Sequence, residues 1–309
     1  MVAEEGSATS GKQKGDMMTG VTRRGFLRWG TFAAPFLLLW GKIPPLLGRR
    51  WERSRSVNYW HENSFHQTNL EVDEGGLIRA KINGSWREFK VRELSAGFLD
   101  WNFKARLETV KALKKGSPPS LAGPHSAAVA TYGGGRLDSQ FTVNNAVKGM
   151  GFVPTRERIG ERIQELKKNF ESPMPEKLEL LSAGYRDRSL WDRTMQVSLE
   201  LYTNPDFETH TFLNLLANPV ASVVFLDYPS YELRALVKMV HPEDRLASEE
   251  EKEILEYTNL VHSFFHGRFE KRFIAMVFYL IEEFNNTPGS REGMGRRVVP
   301  PLELPNIGG

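Results

Sequence analysis

Two histidines have the type and spacing that come closest to a metal-binding site. His262 and His266 are four residues apart in a segment with helical periodicity, so both imidazoles lie on one face of a predicted helix. Two imidazoles at this spacing can bind a metal ion, as they do in zinc-dependent helices. Glu256 precedes them on the same predicted helix, and His210 could add a ligand from another. These four residues form the candidate metal site.

The neighbouring residues argue against that site. Helical zinc proteases place a Glu directly after the first His, whereas Ser263 stands there in this chain. The Glu-x-x-His signature of di-iron bundles is missing too, because Glu208 precedes His210 by two residues rather than three. Phe264 and Phe265 favour an ordinary role for the histidines at the edge of an aromatic core. We therefore predict no cofactor, with a metal or a haem as the less favoured alternative.

Other catalytic signatures are also missing from the sequence. The chain has no cysteine, which excludes disulfides, thiolate zinc sites, Cys-ligated iron–sulfur clusters and thioether-attached haem. It has no Gly-x-Ser-x-Gly nucleophile motif. The Gly133-Gly134-Gly135 triplet is not followed by Gly-Lys-Ser/Thr, so we interpret it as part of a surface loop rather than a phosphate-binding loop. The sequence leaves enzymatic activity open and favours a non-catalytic protein.

The charge distribution argues against nucleic acid as a partner. The chain has a net charge of +3 and a pI near 9.0. Residues 1–55 hold ten basic and four acidic side chains and so contribute +6, which leaves −3 for residues 56–309. A protein that binds duplexes needs a concentrated basic face, and the body of this chain has no such excess.

The clearest functional motif lies near the N-terminus. The run reads Thr22, Arg23, Arg24, Gly25, Phe26, Leu27 and Arg28. It resembles the twin-arginine export signal family, whose pattern is Ser or Thr, two arginines, any residue, Phe, Leu and a basic residue. Every specified position is matched, and an apolar stretch follows directly. The resemblance covers residues 22–47 and implies export of an already folded chain, often with a cofactor inserted or a partner bound beforehand.

The apolar run after the motif predicts a contact with the cytoplasmic membrane. Residues 29–47 come close to the ~20 residues that cross a bilayer, although Lys42 and three prolines interrupt them. No Ala-x-Ala cleavage site follows, so we expect an uncleaved anchor, with removal of the signal as the alternative. The protein is then expected at the periplasmic or extracytoplasmic face of the membrane.

The chain after Pro154 has helical periodicity almost to its end. Helices are predicted at 155–170, 175–181, Leu190–Tyr202, Phe207–Ala217, Pro219–Phe225, Ser230–Val240, Ser248–His266 and Phe269–Phe284. Short loops between them favour antiparallel neighbours. We therefore predict a mainly α fold with a compact multi-helix domain.

Before Pro154 the sequence predicts an amphipathic helix over residues 102–115 and one β-hairpin. Asn83-Gly84 suits a two-residue turn with positive φ angles. Counted outward from this turn, the predicted pairs are Ile82–Ser85, Arg79–Glu88 and Ile78–Phe89. The predicted organisation is a disordered leader (1–21), a signal or anchor (22–50), a small α+β region (51–115) with its hairpin at 77–91, a Gly/Pro-rich loop (116–154), a helical domain (155–287) and an extended tail (288–309).

The tail adds an apolar segment that could bind a partner. Prolines keep residues 296–309 extended, and the apolar side chains among them are Val298, Val299, Leu302, Leu304 and Ile307. An export signal, an expected anchor and two segments suited to wrapping neighbours, the Gly/Pro-rich loop at 116–154 and the tail, together favour a non-catalytic accessory or structural subunit. Its expected partners are the membrane and the other proteins of a respiratory, photosynthetic or other redox complex. The alternative is an exported metal- or haem-binding enzyme or electron-transfer protein that uses His262 and His266.

The export signal can be tested by itself. Replacing Arg23 and Arg24 with lysines keeps the charge but removes the twin-arginine pattern. We expect the variant to stay in the cytoplasm, as measured by fractionation and immunoblotting. Equal export of the variant and the unchanged chain would contradict the motif assignment.

Overall fold

The computed structural model describes residues 58–301 except 74, 118–119, 137 and 290–292. The motif at 22–28, the expected anchor at 29–47 and the tail residues Leu302, Leu304 and Ile307 lie outside the described residues. Among the described residues, no helix is both long and apolar enough to span a bilayer.

The described residues form five α-helices and ten β-strands. The strands are β1 (Leu70–Val72), β2 (Leu77–Ile82), β3 (Ser85–Lys90), β4 (Ser126–Thr131), β5 (Asn144–Gly149), β6 (Met195–Glu200), β7 (Val220–Phe225), β8 (Tyr231–Val240), β9 (Ile274–Asn285) and β10 (Arg296–Val299). The helices are α1 (Ala96–Lys114), α2 (Ile159–Lys168), α3 (Met174–Arg186), α4 (His210–Ala217) and α5 (Glu249–His266).

Strands β1, β2 and β3 form a small antiparallel sheet. The predicted hairpin pairs are found, including Ile82 with Ser85 and Ile78 with Phe89. Asn83 and Gly84 have φ angles of 50° and 82°, as the tight turn requires. The hairpin could be predicted because its turn chemistry is local.

The other seven strands form one antiparallel sheet that curls on itself. Its order is β5-β4-β7-β8-β9, and both β6 and β10 pair with the remaining edge of β9. Just beyond β5, Gly151 and Val197 of β6 exchange backbone hydrogen bonds of 2.9 and 2.8 Å. These two bonds bring the ends of the sheet together into a partly closed barrel.

The prediction of a mainly α fold is wrong, because the chain combines helices with antiparallel strands. The predicted helices at Leu190–Tyr202, Pro219–Phe225, Ser230–Val240 and Phe269–Phe284 correspond to β6, β7, β8 and β9. Strands β6, β8 and β9 are buried on both faces along most of their length. Their sequences are therefore nearly continuous apolar runs, and periodicity cannot distinguish such runs from buried helices.

Two further segments differ from the sequence analysis. Residues 116–154, expected to be a long loop, contain β4 and β5. Val298 and Val299, expected in an extended tail that could bind a partner, belong to β10, where Val299 pairs with Glu283 of β9 and packs against the core.

A buried carboxylate of the large sheet, that of Glu283, binds the N-cap residue of helix α1. Glu283 accepts hydrogen bonds from the amide of Ser95, at 2.8 Å, and from the Ser95 hydroxyl. The Ser95 hydroxyl in turn accepts from the amide of Phe98, at 3.1 Å, and so caps the helix. Burial raises the pKa of Glu283, although the two hydrogen bonds from Ser95 oppose that shift. The positive end of the helix dipole favours the ionised form at this position.

The middle of α1 carries a buried arginine that joins several elements. Arg106 is 2% exposed. Its guanidinium donates to the carbonyls of Pro124 (2.6 Å) and Met150 (2.9 Å), to the side chain of Asn102 (2.6 Å) and to the hydroxyl of Tyr185 (3.2 Å), and it contacts Nδ1 of His125 at 3.1 Å. These partners lie beside the start of β4 and the end of β5, and on α1 and α3. Burial and the Arg106 charge hold the pKa of His125 well below its usual value.

We expect Arg106→Met to lower the free energy of unfolding by about 3–5 kcal/mol, because it leaves several buried acceptors without a donor. Chemical denaturation measures the change. Lys104→Met is the matched control, since Lys104 is exposed on the same helix, and a change within about 0.5 kcal/mol is expected for it. Equal stability of the two variants would show that Arg106 does not hold these elements together.

Candidate functional site

Polar side chains line the inside of the curled sheet where β5 faces β6. Paired residues of antiparallel strands place their side chains on the same face. Lys148 and Asn144 pair with the buried residues Ala127 and Thr131 of β4. On β6 the side chains on the inner face are Gln196, Ser198 and Glu200, which pair with Phe278, Met276 and Ile274. We call Asn144, Lys148, Gln196, Ser198 and Glu200 the seam.

A buried ion pair crosses the seam. Nζ of Lys148 lies 2.5 Å from Oε2 of Glu200, and the two side chains are 11% and 0% exposed. Gly151, three residues after Lys148, reaches β6 by backbone hydrogen bonds, whereas Lys148 reaches it only through its side chain. The two strands therefore diverge from Gly151 towards Asn144. A charge pair in such a place needs both partners, since removing one leaves the other unpaired in the interior.

Helix α4 covers the wide end of the seam. The amide of Asn144 donates to the hydroxyl of Thr211 at 2.9 Å, and the amide of Asn214 donates to the hydroxyl of Thr131 at 3.1 Å. Two polar residues of α4 thus satisfy polar groups at the ends of β4 and β5. The divergent strands are sealed by side-chain hydrogen bonds rather than by a continuous ladder.

A small cavity lies beside Gln196 of the seam. Its volume is about 10 Å³, close to the room that one water molecule needs. The lining is apolar, with Val223, Leu233 and Phe278 among its residues, except for Gln196. Oε1 of Gln196 is buried and lacks a hydrogen-bond partner among the described residues. A buried amide oxygen left without a partner costs about 1–3 kcal/mol.

The glycine triplet has a packing role in this structure. The amide of Gly134 donates to the side chain of Asn214 at 2.7 Å. A Cβ atom on Gly134 would lie 2.6 Å from the backbone of Leu213, and one on Gly133 would lie 2.2 Å from the side chain of Asn218. Gly133 and Gly134 let the loop after β4 approach α4 and Asn218, where a side chain would clash, whereas a Cβ atom on Gly135 would meet no atom within 4 Å.

The four candidate metal ligands do not come together. His262 and His266 are neighbours, with ring centroids 4.8 Å apart, and Phe269 stacks on His262. Glu256 instead pairs with Lys167 at 2.5 Å. Within the described ranges, no group of three or more His, Asp or Glu side chains could hold a metal ion.

His210, the remaining candidate, lies on a different helix. It begins α4, and its Nε2 atom is 3.0 Å from Oδ1 of Asp138. The histidine pair on α5 belongs to an aromatic cluster, where burial and the neighbouring His266 ring lower the pKa of His262 to about 4. The His262 ring is therefore neutral at pH 7.

The outward side of β5, β4 and β7 forms a second notable surface. One cross-strand row joins Val147, Ala128 and Val224, and the next joins Asn145, Ala130 and Ser222. Val147 is 67% exposed, and Val143 and Phe141, just before β5, are 64% and 73% exposed. We call this surface the open sheet face; its apolar residues are the exposed Val147 and the half-buried Ala128, Ala130 and Val224.

Paired charges border the open sheet face on β8, β9 and β10. Arg234 lies 3.0 Å from Glu232 and 3.5 Å from Glu282, and Arg297 lies 3.4 Å from Glu282. The hydroxyl of Ser222 on β7 donates to Glu232 at 2.9 Å and connects the face to this border. An apolar centre with a polar rim is the usual composition of a protein interface.

Neither the seam nor the open sheet face was predicted from the sequence. Their residues belong to segments that were predicted as a loop (β4 and β5) or as helices (β6 and β7). No local signal identifies them, because each becomes a surface only when strands far apart in the chain pair in register.

Comparisons with known proteins add little to this geometry. No protein-family model matches the chain. A search of curated proteins finds no match either. Among solved structures, the chain is similar to a protein from Clostridium acetobutylicum that is related to general stress protein 26 of B. subtilis and is described as of the pyridoxinephosphate oxidase family. The two are 9% identical, the match covers 60% of this chain and 90% of the other, and the TM-score is 0.26. A likeness at this TM-score supports no argument about this chain.

The seam ion pair can be tested by a double-mutant cycle. We expect Lys148→Met to lower the free energy of unfolding by about 3–5 kcal/mol, because Glu200 is left charged and unpaired in the interior. Adding Glu200→Met to that variant should recover most of the loss, since an apolar pair of similar size replaces the two charges. Denaturation of the four proteins gives the coupling free energy. Additive effects of the two substitutions would contradict the pairing.

Proposed function

We propose that this protein is a non-catalytic accessory subunit that binds another protein of an envelope redox complex through the open sheet face. The observation that carries the proposal is the exposed apolar surface on β5, β4 and β7. Contiguous exposed apolar surface usually marks a site of interaction. A pleated sheet face with small side chains also offers a regular surface against which a partner can pack closely.

The arrangement of polar groups gives less support to an enzyme. The described residues contain two His–Asp pairs, His66 with Asp244 at 2.8 Å and His210 with Asp138 at 3.0 Å. A nucleophilic triad needs a hydroxyl on the second ring nitrogen, and no such hydrogen bond is made by either histidine within the described part of the chain. A binding role requires no such group.

The proposed location rests on the sequence alone. The motif at residues 22–28 and the apolar run at 29–47 favour an extracytoplasmic position at the cytoplasmic membrane. A respiratory, photosynthetic or other redox complex would supply a partner in that compartment. The alternative, a metal- or haem-binding protein using His262 and His266, has less support because the other candidate ligands are engaged elsewhere.

The test compares two exposed apolar residues. Val147→Asp places a charge in the centre of the open sheet face, and Leu246→Asp, at a residue 74% exposed in the loop before α5, is the matched control. Each tagged chain is purified from native membranes in mild detergent, and its companions are quantified by mass spectrometry. We expect the unchanged chain and the control to retain a stoichiometric partner and Val147→Asp to retain at least ten-fold less, since a charge in an interface centre is left unsolvated.

Three results would contradict the proposal. A chain that purifies alone with its own chromophore or metal would favour the alternative function. A partner that stays with Val147→Asp would remove the open sheet face from the interaction. A homodimer that depends on Val147 would assign the face to a second copy of the chain.

A further inference from the structure

The β2–β3 hairpin packs on the core through one face of β2, and the amide of Asn83 in its turn donates to Oδ1 of Asn218 at 2.6 Å. Ile78, Ala80 and Ile82 of β2 are buried against the core, but Ser85, Trp86, Arg87 and Glu88 of β3 are all exposed. Side chains on both faces of β3 are thus in contact with solvent. A strand of this kind is held mainly by its partner β2 and presents its outer face and its edge to the surroundings.

The hairpin differs in charge from the body that carries it. Between Leu77 and Lys90 it has four basic side chains, Arg79, Lys81, Arg87 and Lys90, and one acidic side chain, Glu88. Residues 56–309 as a whole have a net charge of −3. The field of a basic surface on an acidic body orients the protein so that this surface faces negative charge.

Cationic, apolar and acidic side chains share the outer face of the hairpin, where Glu88 lies opposite Arg79. Lys81 lies directly opposite Trp86, and Leu77 lies directly opposite Lys90. Trp86 and Leu77 are 40% and 44% exposed, although both are large apolar residues. Between the two pairs, Arg79 contacts Glu71 at 2.9 Å and lies over the ring of Trp86, so its charge is compensated. Lys81 and Lys90 form no ion pair with any described residue, which leaves them available to an outside anion.

We infer that the outer face of this hairpin binds the surface of a bilayer that contains anionic phospholipid. Tryptophan beside lysine is the combination found at membrane interfaces, where the indole lies among the headgroups and the ammonium contacts phosphate. The exposed side chains lie on one face of the three-stranded sheet, so several of them can contact a bilayer surface together.

The position of the hairpin in the sequence agrees with this occupant. The apolar run 29–47 and four arginines, Arg49, Arg50, Arg53 and Arg55, precede the first described residue. The inference does not depend on the proposed function, since the open sheet face and the hairpin belong to different sheets.

The test measures binding of the full chain to vesicles by co-sedimentation. Vesicles of phosphatidylcholine alone are compared with vesicles that contain about 30% phosphatidylglycerol, near physiological salt. All variants keep residues 1–57, so a contribution from that segment is common to every protein in the comparison. We expect the double substitution Lys81→Gln and Lys90→Gln to weaken binding to the anionic vesicles roughly 25-fold, about five-fold for each lysine, without changing binding to neutral vesicles.

Two control variants separate the hairpin from other causes. Lys104→Gln with Lys111→Gln removes the same charge from exposed positions on α1 and should leave binding unchanged. Trp86→Ser should weaken binding to both kinds of vesicle, because the indole contribution is not electrostatic. Circular dichroism confirms that each variant is folded.

Three outcomes would overturn the inference. The first is equal binding of the unchanged chain to neutral and anionic vesicles. The second is an equal loss in the α1 control, which would indicate a general charge effect. The third is full vesicle binding by the hairpin variant together with loss of an acidic protein companion, which would assign the hairpin to a protein partner instead.

Discussion

The buried guanidinium of Arg106 is the interaction on which the rest of the structure depends. It joins α1 and α3 to the start of β4 and to the carbonyl of Met150, one residue before the sheet closes at Gly151. No carboxylate pairs with it in the described part of the chain, so its charge is stabilised by the dipoles of carbonyl, amide, phenol and imidazole groups and by the rings of Phe152 and Tyr185. Such groups must be placed accurately to offset the loss of hydration. The position of the closure, and hence of the seam beside it, follows from that placement.

The sequence predicted the parts of the fold that local interactions decide. The β2–β3 hairpin follows from Asn83-Gly84, and helices that overlap α1 to α5 were predicted because apolar residues recur there at helical spacing. The sheet was not predicted because its central strands are covered on both faces and lack alternation. In β9, for example, Ile274 to Leu280 are all buried, and such a run fits a buried helix equally well. Only pairing with strands far away in the chain makes it a strand.

The candidate site was even less accessible from the sequence. Lys148 and Glu200 are 52 residues apart, and each stands in a segment where a charge would normally be taken as exposed. Their burial follows from the register of four strands, which no local pattern encodes. The histidine pair, in contrast, could be identified from the sequence. Its spacing was predicted correctly, but the chemistry that the spacing suggested needs further ligands, and Glu256 pairs instead with Lys167 and His210 with Asp138.

Strand β9 places a constraint on how the chain acquires its structure. It pairs with β8, β6 and β10, yet it begins only at Ile274, so the large sheet cannot be completed until synthesis has passed β9 and β10. Pairings of long sequence separation form slowly, because loop-closure entropy is lost before the contacts are made. Until then the apolar strands β6 to β8 have unpaired edges and are prone to aggregate. A chaperone that shields nascent β6 to β8 would therefore act at the stage when this protein is most prone to aggregate.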